Sequence, residues 1–219
     1  MNWSQQVDAY CERLDPGFWA EPVNALTNAA FLIAAAIIAW RLRGIHLPLA
    51  WALVALLTAI GIGSFLFHTF ATAWAGMSDV LPIVLFVLLY LFIASRDYLG
   101  LPPLLSALSV LAFLPFAALL TPLMANIPLY GVSSVYLPVP LLILVYALLL
   151  YRQPRLAMGL AFGAGLLILS LTFRSLDMPV CARLPLGTHF LWHILNAIML
   201  GWMIELYRRH MLARGEEQR

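Results

Sequence analysis

The feature that most constrains this chain is how much of it is apolar. Of its 219 residues, 63% are hydrophobic and only 10% are charged, and the mean hydropathy is +0.93. A soluble domain of this size has too little interior to bury so many apolar side chains. The lipid bilayer must therefore surround much of the surface, and the net charge of +2 gives no indication of nucleic-acid binding.

Apolar stretches of roughly 20 residues, the length of a membrane-spanning helix, recur along the whole chain. We therefore predict an all-α membrane protein, a bundle of seven transmembrane helices that forms a single domain over residues 1–219. Residues 1–22 would form a polar N-terminal segment and residues 208–219 a cytoplasmic tail. The predicted spans are residues 24–40, 47–67, 78–95, 101–120, 129–151, 156–173 and 188–207.

The distribution of arginine predicts the orientation of this bundle. One side of the membrane would carry Arg41, Arg43, Arg96, Arg152, Arg155, Arg208, Arg209, Arg214 and Arg219. The other side would carry only Arg13, Arg174 and Arg183. Because cytoplasmic loops are enriched in positive charge, we expect the N-terminus outside and the C-terminus in the cytoplasm. The expected location is a bacterial inner membrane, with the outer side facing the periplasm.

Both cysteines of the chain fall on the predicted outer side. Cys11 lies in the N-terminal segment, and Cys181 lies in the loop before the last span. An outer compartment is oxidising and permits disulfides, so we predict that the two pair. The alternative is two free thiols that share a side by chance.

Two short stretches, Ser64-Phe-Leu-Phe-His68 and His189-Phe-Leu-Trp-His193, place polar side chains four residues apart. In an α-helix, residues i and i+4 lie on one face, so the three histidines could converge. Asp79, at the start of the third span, would lie at a similar depth near the outer side. Three imidazoles with an open fourth position are the ligand set of a catalytic zinc ion.

These side chains suit a hydrolase. Neutral imidazoles leave the charge of Zn²⁺ uncompensated, so the ion lowers the pKa of bound water to about 7. Asp79 could take a proton from that water and return it to a leaving amine, and the Ser64 hydroxyl could stabilise an oxyanion. The site would open to the membrane, so the substrate should be a lipid amide or ester. The alternative is that the histidines merely pack at helix ends.

Three blocks of the sequence together resemble the alkaline ceramidases, within the wider CREST group of seven-span metal-dependent hydrolases. The blocks are residues 10–12 with 18–28, residues 63–68 with Asp79 and Pro82, and residues 187–193. Each block is short, but they occur in the same order as in that family, and the resemblance covers nearly the whole chain.

The resemblance implies a zinc ion bound by His68, His189 and His193, with Asp79 as the proton shuttle and Ser64 assisting. It implies a sphingolipid hydrolase that cleaves ceramide or a related N-acyl lipid to a free fatty acid and an amine lipid. The expected partner is thus a membrane lipid substrate, and we expect neither nucleic acid nor an obligate protein partner.

The resemblance also implies an outside N-terminus and a disulfide between Cys11 and Cys181. Both implications agree with the expectations that follow from arginine distribution and cysteine placement.

The resemblance further implies a calcium site in the N-terminal segment, where the match is incomplete. The family pattern is Asp-Trp-Cys-Glu-x-Asn followed by Glu, and here Ala9 and Leu14 replace the Asp and the Asn. The remaining ligands would be the Tyr10 carbonyl and the carboxylates of Glu12 and Glu21. Because Ca²⁺ prefers about six to eight oxygens, we expect weak calcium binding or none.

Two other functional classes share part of this pattern. A receptor or transducer of the progestin and adiponectin receptor type would share the zinc core, but its N-terminus would lie inside, against the arginine distribution. A metal or small-solute transporter would need polar residues along the whole depth of a pathway, whereas here they cluster near the outer side.

Overall fold

A computed structural model describes residues 2–217, and within this range the fold is helical with no β-strand. A π-helical turn, Ala94–Tyr98, follows α4, and a 3-10 turn, Gly131–Ser133, precedes α6. The eight α-helices are α1 (Pro22–Thr27), α2 (Ala29–Arg41), α3 (Pro48–Phe70), α4 (Ala73–Ile93), α5 (Pro103–Met124), α6 (Pro138–Leu149), α7 (Pro154–Val180) and α8 (His189–Glu217).

Six helical segments are long and apolar enough to cross a membrane, so the chain is an integral membrane protein, as predicted. The first of them joins α1 and α2 at Asn28. The segments are Pro22–Arg41, Pro48–Phe70, Ala73–Tyr98, Pro103–Met124, Pro154–Val180 and His189–Gly215. Six of the seven predicted spans are thus present, and the orientation of the termini remains a prediction.

The fifth predicted span, residues 129–151, differs from the structure. The corresponding helix, α6, has only 12 residues, fewer than the roughly 20 that cross a bilayer. Residues 125–137 before it form turns, with Leu129 at a positive φ of 75°. The Tyr130 hydroxyl in this region hydrogen-bonds the Thr172 hydroxyl of α7 at 2.6 Å, which holds the turns against the bundle.

Proline marks the beginning of five helices, where its missing N–H would be unpaired in any case and its fixed φ suits a helix. These residues are Pro22, Pro48, Pro103, Pro138 and Pro154.

The sixth predicted span, residues 156–173, is too short, because α7 continues through Arg174 to Val180 before the chain breaks. Two aromatic rings lie beside this half-buried cation. The Arg174 guanidinium lies 5.2 Å from the ring centre of Tyr136 and 5.8 Å from that of Trp192. Such cation–π contacts, together with a hydrogen bond from Arg174 to a main-chain carbonyl, allow the charge to remain within the helix.

Two other predicted boundaries are displaced. Since α4 begins at Ala73, Asp79 lies in its second turn instead of at its start. The last helix continues beyond residue 207 to Glu217, so most of the predicted tail is helical. Arg219, which was counted in the arginine distribution, lies outside the described residues.

A buried ion cluster ties α2 to α8. The Glu205 side chain is only 5% exposed and pairs with Arg41 of α2 at 2.8 Å. The same carboxylate pairs with Arg208 and Arg209 at 2.8 and 2.7 Å. These pairs explain how α8 remains packed on the bundle where its sequence becomes polar.

The antiparallel helices α3 and α4 are linked by a short turn in which Ala71 adopts a left-handed conformation, with φ 46° and ψ 48°. A Cβ atom on Gly63 would overlap the main-chain carbonyl oxygen of Ser78. Glycine therefore lets the two helices approach closely. This approach brings Ser64, the next residue of α3, to the level of Asp79 in α4.

The irregular residues 2–21 lie against the helix ends that carry the histidines. Gln6 forms an isolated antiparallel bridge with Thr72, in the turn between α3 and α4. A disulfide joins Cys11 to Cys181, just after α7, with a Cα–Cα distance of 5.5 Å. The predicted cysteine pairing is therefore confirmed.

Gly63→Ala should lower the thermal midpoint of unfolding, because a methyl group forced into a close helix contact destabilises by about 1–3 kcal/mol. Gly165 of α7 gives the matched control, since a Cβ there would meet nothing within 4 Å. Gly165→Ala should leave the midpoint unchanged or slightly raised. Thermal unfolding of both variants in one detergent makes the comparison, and an unchanged midpoint for Gly63→Ala would contradict the tight α3–α4 contact.

Candidate metal centre

Three buried histidines from two helices form the candidate metal centre. His68 lies near the end of α3, His189 is the first residue of α8, and His193 follows one turn later. Each is at most 1% exposed. Their candidate ligand nitrogens all lie within 4.8 Å of one another. The convergence expected from the i and i+4 spacing is present, and the three side chains could hold a metal ion.

Hydrogen bonds on the far side of two rings fix their orientation. Nδ1 of His68 lies 2.6 Å from Oε2 of Glu21, and Nδ1 of His193 lies 3.0 Å from the Thr27 hydroxyl. The Thr27 hydroxyl donates its own proton to the main-chain carbonyl of Val23 at 2.7 Å, so it accepts from His193. The Glu21 carboxylate likewise accepts from His68. When the two rings are neutral, this arrangement places the proton of each ring on Nδ1.

As a consequence, two unprotonated nitrogens face each other. Nε2 of His68 lies 3.1 Å from Nε2 of His193. With both ring protons on Nδ1, neither nitrogen can donate, and two lone pairs meet in a buried site. A metal cation held by both nitrogens would relieve this repulsion. A carboxylate or another acceptor on the opposite ring nitrogen is the usual support of a metal-ligating histidine.

The third ring has a nitrogen without a partner. The Tyr10 ring stacks on His189, with 3.7 Å between ring centres and 23° between planes. Nδ1 of His189 is buried and has no hydrogen-bond partner among residues 2–217. Since buried polar atoms are rarely left unpaired, this nitrogen also fits a metal site.

Asp79 and Ser64 lie beside the histidines. Both line one pocket, together with Trp192 and Asn196 of α8. Ser64 lies one turn before His68 in α3. Ser64 and Asp79 thus line a pocket beside the histidine cluster, and their roles in the site remain predictions.

The pocket at Asp79 and Ser64 adjoins an apolar cavity between α4, α6, α7 and α8. Beyond the shared walls, this cavity extends to Tyr90 of α4 and Tyr146 of α6, and its lining is almost entirely apolar. The two spaces have in common the side chains of Val87, Val139, Met199 and Leu200.

Glu12, one of the residues expected to bind calcium, holds the start of α1 instead. Its two carboxylate oxygens accept the main-chain N–H groups of Val23 and Asn24, each at 2.8 Å. These N–H groups belong to the first turn of α1, where they have no partner within the helix. Both oxygens of Glu12 are therefore engaged.

The other two expected calcium ligands are also engaged. Oε1 of Glu21 accepts from the Arg13 side chain at 2.5 Å, and Oε2 accepts from His68. The Tyr10 carbonyl accepts the main-chain N–H of Arg13 at 3.2 Å. Because hydrogen-bond donors already satisfy these oxygens, the three residues do not fit a calcium cage in this arrangement.

The surroundings of Glu21 keep its carboxylate charged. Burial alone would raise the pKa of this carboxyl group, but the hydrogen bonds that His68 and Arg13 donate, together with the charge of the Arg13 guanidinium, hold the pKa below its usual value. The ionised carboxylate can therefore accept a hydrogen bond from Nδ1 of His68, as a ring proton on Nδ1 requires.

Asp177 is not among the residues that the sequence predicts for the site, yet it positions the start of α8. It is 2% exposed. Its carboxylate accepts the main-chain N–H groups of Cys11, Thr188 and His189 at 2.9, 2.7 and 2.9 Å. The only signal in the sequence is a carboxylate before a helix start, and the sixth span was predicted to end at residue 173, before Asp177.

Asn196 is a second residue that the sequence does not single out. It lies one turn after His193 in α8 and is 6% exposed. Its Oδ1 has no hydrogen-bond partner in the described part of the chain. Since Asn196 lines the same pocket as Asp79, its amide is available to a bound molecule.

The fold and this buried cluster define an integral membrane protein with a candidate metal centre next to a carboxylate and a serine. A family model described as Ceramidase matches residues 10–218, nearly the whole chain. The chain therefore belongs to the ceramidase family, and this membership indicates a hydrolase that acts on lipid amides. A comparison with curated proteins found no match.

Asp177→Asn should lower the thermal midpoint of unfolding, because charge-assisted hydrogen bonds to buried amides contribute about 1.5–3 kcal/mol. Asn keeps the shape but loses the charge and one acceptor oxygen. Asp8, which is exposed, gives the matched control Asp8→Asn, for which we expect no change. Equal midpoints for the two variants would show that Asp177 does not hold the start of α8.

Proposed function

We propose that this protein is an intramembrane zinc-dependent amidohydrolase. It would cleave the amide bond of ceramide or a related N-acyl lipid and release a free fatty acid and an amine lipid. The observation that carries the proposal is the 3.1 Å distance between Nε2 of His68 and Nε2 of His193, next to the pocket that Asp79 and Ser64 line. Family membership supports the lipid-amide substrate class.

The donor set favours zinc. Imidazole nitrogen suits Zn²⁺, whereas Mg²⁺ and Ca²⁺ prefer oxygen. Two nitrogen ligands of a tetrahedral zinc ion, each about 2.05 Å from it, lie about 3.3 Å apart. The corresponding distance between Nε2 of His68 and Nε2 of His193 is 3.1 Å. We assign His68, His189 and His193 as the ligands, which leaves a fourth position open.

Asp79 is the proposed proton carrier. A bound zinc ion would act as a Lewis acid and would lower the pKa of water in the site to about 7. Asp79 would take a proton from the attacking water and give it to the nitrogen of the leaving amine. Its position next to Ser64 and near His68 supports this role, since a proton carrier must lie within hydrogen-bond reach of the reacting groups.

Ser64 and Asn196 are proposed to contact the amide group of the substrate. The Ser64 hydroxyl would donate a hydrogen bond to the oxygen on which negative charge develops. The unpaired Oδ1 of Asn196 would accept from an N–H or O–H group of the lipid, which would satisfy this buried acceptor.

The apolar cavity supports a substrate with a long hydrocarbon chain. It begins at the pocket of Ser64 and Asp79 and extends to Tyr90 and Tyr146. A chain placed in it would bury apolar surface, at about 0.8 kcal/mol per methylene group, and would leave the amide bond beside Asp79. A water-soluble amide would gain nothing from this space.

The proposed location is a bacterial inner membrane, with the N-terminus and the metal centre on the periplasmic side. The disulfide between Cys11 and Cys181 supports this orientation, because disulfides persist in oxidising compartments. The arginine distribution supports it as well. We propose that residues 1–219 act as one domain, and the extent of the family match supports this.

Purified protein should contain one zinc ion per chain, and His193→Ala should lose most of it, because the variant removes one of three ligands. His46, an exposed histidine in the loop between α2 and α3, gives the matched control His46→Ala. Elemental analysis after removal of free metal measures the content. Undiminished zinc in His193→Ala would overturn the ligand assignment.

The reaction is tested by incubating the purified protein with a panel of N-acyl lipids, ceramide included, and measuring free fatty acid. We expect release from at least one lipid, and loss of release with a zinc chelator. A receptor or transporter would release none. No fatty acid from any lipid by the zinc-loaded protein would overturn the proposed function.

On the best lipid of that panel, Asp79→Asn should keep its zinc but lose about 10²–10⁴-fold in rate, the usual contribution of a general acid–base group. Ser64→Ala should lose less, because Ser64 would be one of several groups at the developing charge. Full activity of Asp79→Asn would show that the carboxylate is structural.

A further inference from the structure

We propose that Arg13 acts as a built-in cation that positions His68 and makes a bound divalent cation unnecessary in the N-terminal segment. Arg13 is here a positioning residue, since its guanidinium reaches the metal centre only through Glu21 and the main chain of His68. The effect on His68 as a ligand rests on the proposed metal centre, whereas the effect on the segment does not.

The side chain of Arg13 is buried and makes four hydrogen bonds, although it lies outside the helices. It is only 3% exposed. Nε donates to Oε1 of Glu21 at 2.5 Å. One terminal nitrogen donates to the main-chain carbonyls of Asp15 and Gly17 at 3.1 and 3.5 Å, and the other donates to that of His68 at 3.1 Å. An exposed ion pair on the protein surface would not be buried and held by several hydrogen bonds in this way.

Arg13 reaches His68 by two routes. The direct route is the hydrogen bond to the His68 carbonyl, which fixes the main chain near the end of α3. The indirect route runs through Glu21, whose second oxygen lies 2.6 Å from Nδ1 of His68 and fixes the ring. Both the main chain and the ring of His68 are held by contacts that involve Arg13. The direction of the Nε2 atom of His68 therefore depends on Arg13 as well.

The charge of Arg13 also matters. Glu21 is buried and would be an uncompensated anion without a nearby cation, and such charges are strongly unfavourable. His68 cannot serve as that cation when its ring is neutral and binds metal. The guanidinium is therefore a permanent cation beside this carboxylate, whose other oxygen faces Nδ1 of His68.

The oxygens that accept hydrogen bonds from Arg13 are of the types that bind a hard cation. They comprise one carboxylate oxygen of Glu21 and the main-chain carbonyls of Asp15, Gly17 and His68. Carboxylates and carbonyls are the oxygen ligands that Ca²⁺ takes in proteins. In this chain a guanidinium, with five N–H donors in a rigid fork, satisfies them from within the protein.

The first experiment measures metal binding, with Co²⁺ as a spectroscopic substitute for zinc. The full-length wild type is compared with Arg13→Gln, Arg13→Lys and the control Arg183→Ala, which replaces an exposed arginine in the loop after α7. We expect Arg13→Gln to bind Co²⁺ about 10–100-fold more weakly, as for other residues that orient metal ligands. Its visible spectrum should also shift. Arg13→Lys, which keeps the charge but not the fork, should fall between wild type and Arg13→Gln.

The second experiment measures the thermal midpoint in calcium and in a calcium chelator, and does not depend on the metal centre. The wild type and Arg183→Ala should have the same midpoint in both conditions. Arg13→Gln should have a lower midpoint than either. A wild-type midpoint that rises with micromolar calcium would overturn the proposal, because the segment would then bind a divalent cation despite Arg13.

The outcomes separate the two proposals. A wild type that binds no Co²⁺ would overturn the metal centre, and the midpoints would still test Arg13. A wild type and an Arg13→Gln variant with equal Co²⁺ affinity, spectrum and midpoint would overturn the role of Arg13 alone. If Arg13→Gln does not fold, Arg13→Lys decides in the same way: behaviour identical to wild type would refute the need for the guanidinium fork.

Discussion

The metal centre depends on one electrostatic constraint. Glu21 and Thr27 accept from Nδ1 of His68 and His193, so in the neutral rings two lone pairs meet at 3.1 Å in a buried site. A cation between the two nitrogens would stabilise this arrangement. The constraint extends outward, because the other oxygen of Glu21 accepts from Arg13. The N-terminal segment, although it crosses no membrane, is therefore part of the site.

The features that the sequence predicts correctly depend on local residue spacing or on a small number of possible pairings. The four-residue spacing of His189 and His193 places both on one face of any helix, whatever surrounds it. The disulfide was predictable because the chain has only two cysteines. Six spans follow from hydropathy alone, since lipid contact requires an apolar surface over a fixed length.

The remaining features depend on partners that are distant in sequence. The fifth span is apolar enough to be predicted, but turns held by Tyr130 against α7 replace its first half. Asp177 and Arg174 look like loop residues until their partners are known, and those partners belong to three other segments. From the sequence, Arg13 is only one positive charge on the predicted outer side. Its role depends on the oxygens that it contacts in the structure. Local patterns carry no information about such contacts.

The disulfide has a consequence for the biosynthesis of this protein. Cys11 is synthesised 170 residues before Cys181, and almost the whole bundle lies between them. The segment that carries Cys11 also contacts Asp177 of α7 and, through the Tyr10 ring, His189 at the start of α8. It can therefore reach its final position only after the last helix has been inserted. A nascent chain that ends before α8 lacks two of the three histidines, so its candidate metal site is incomplete.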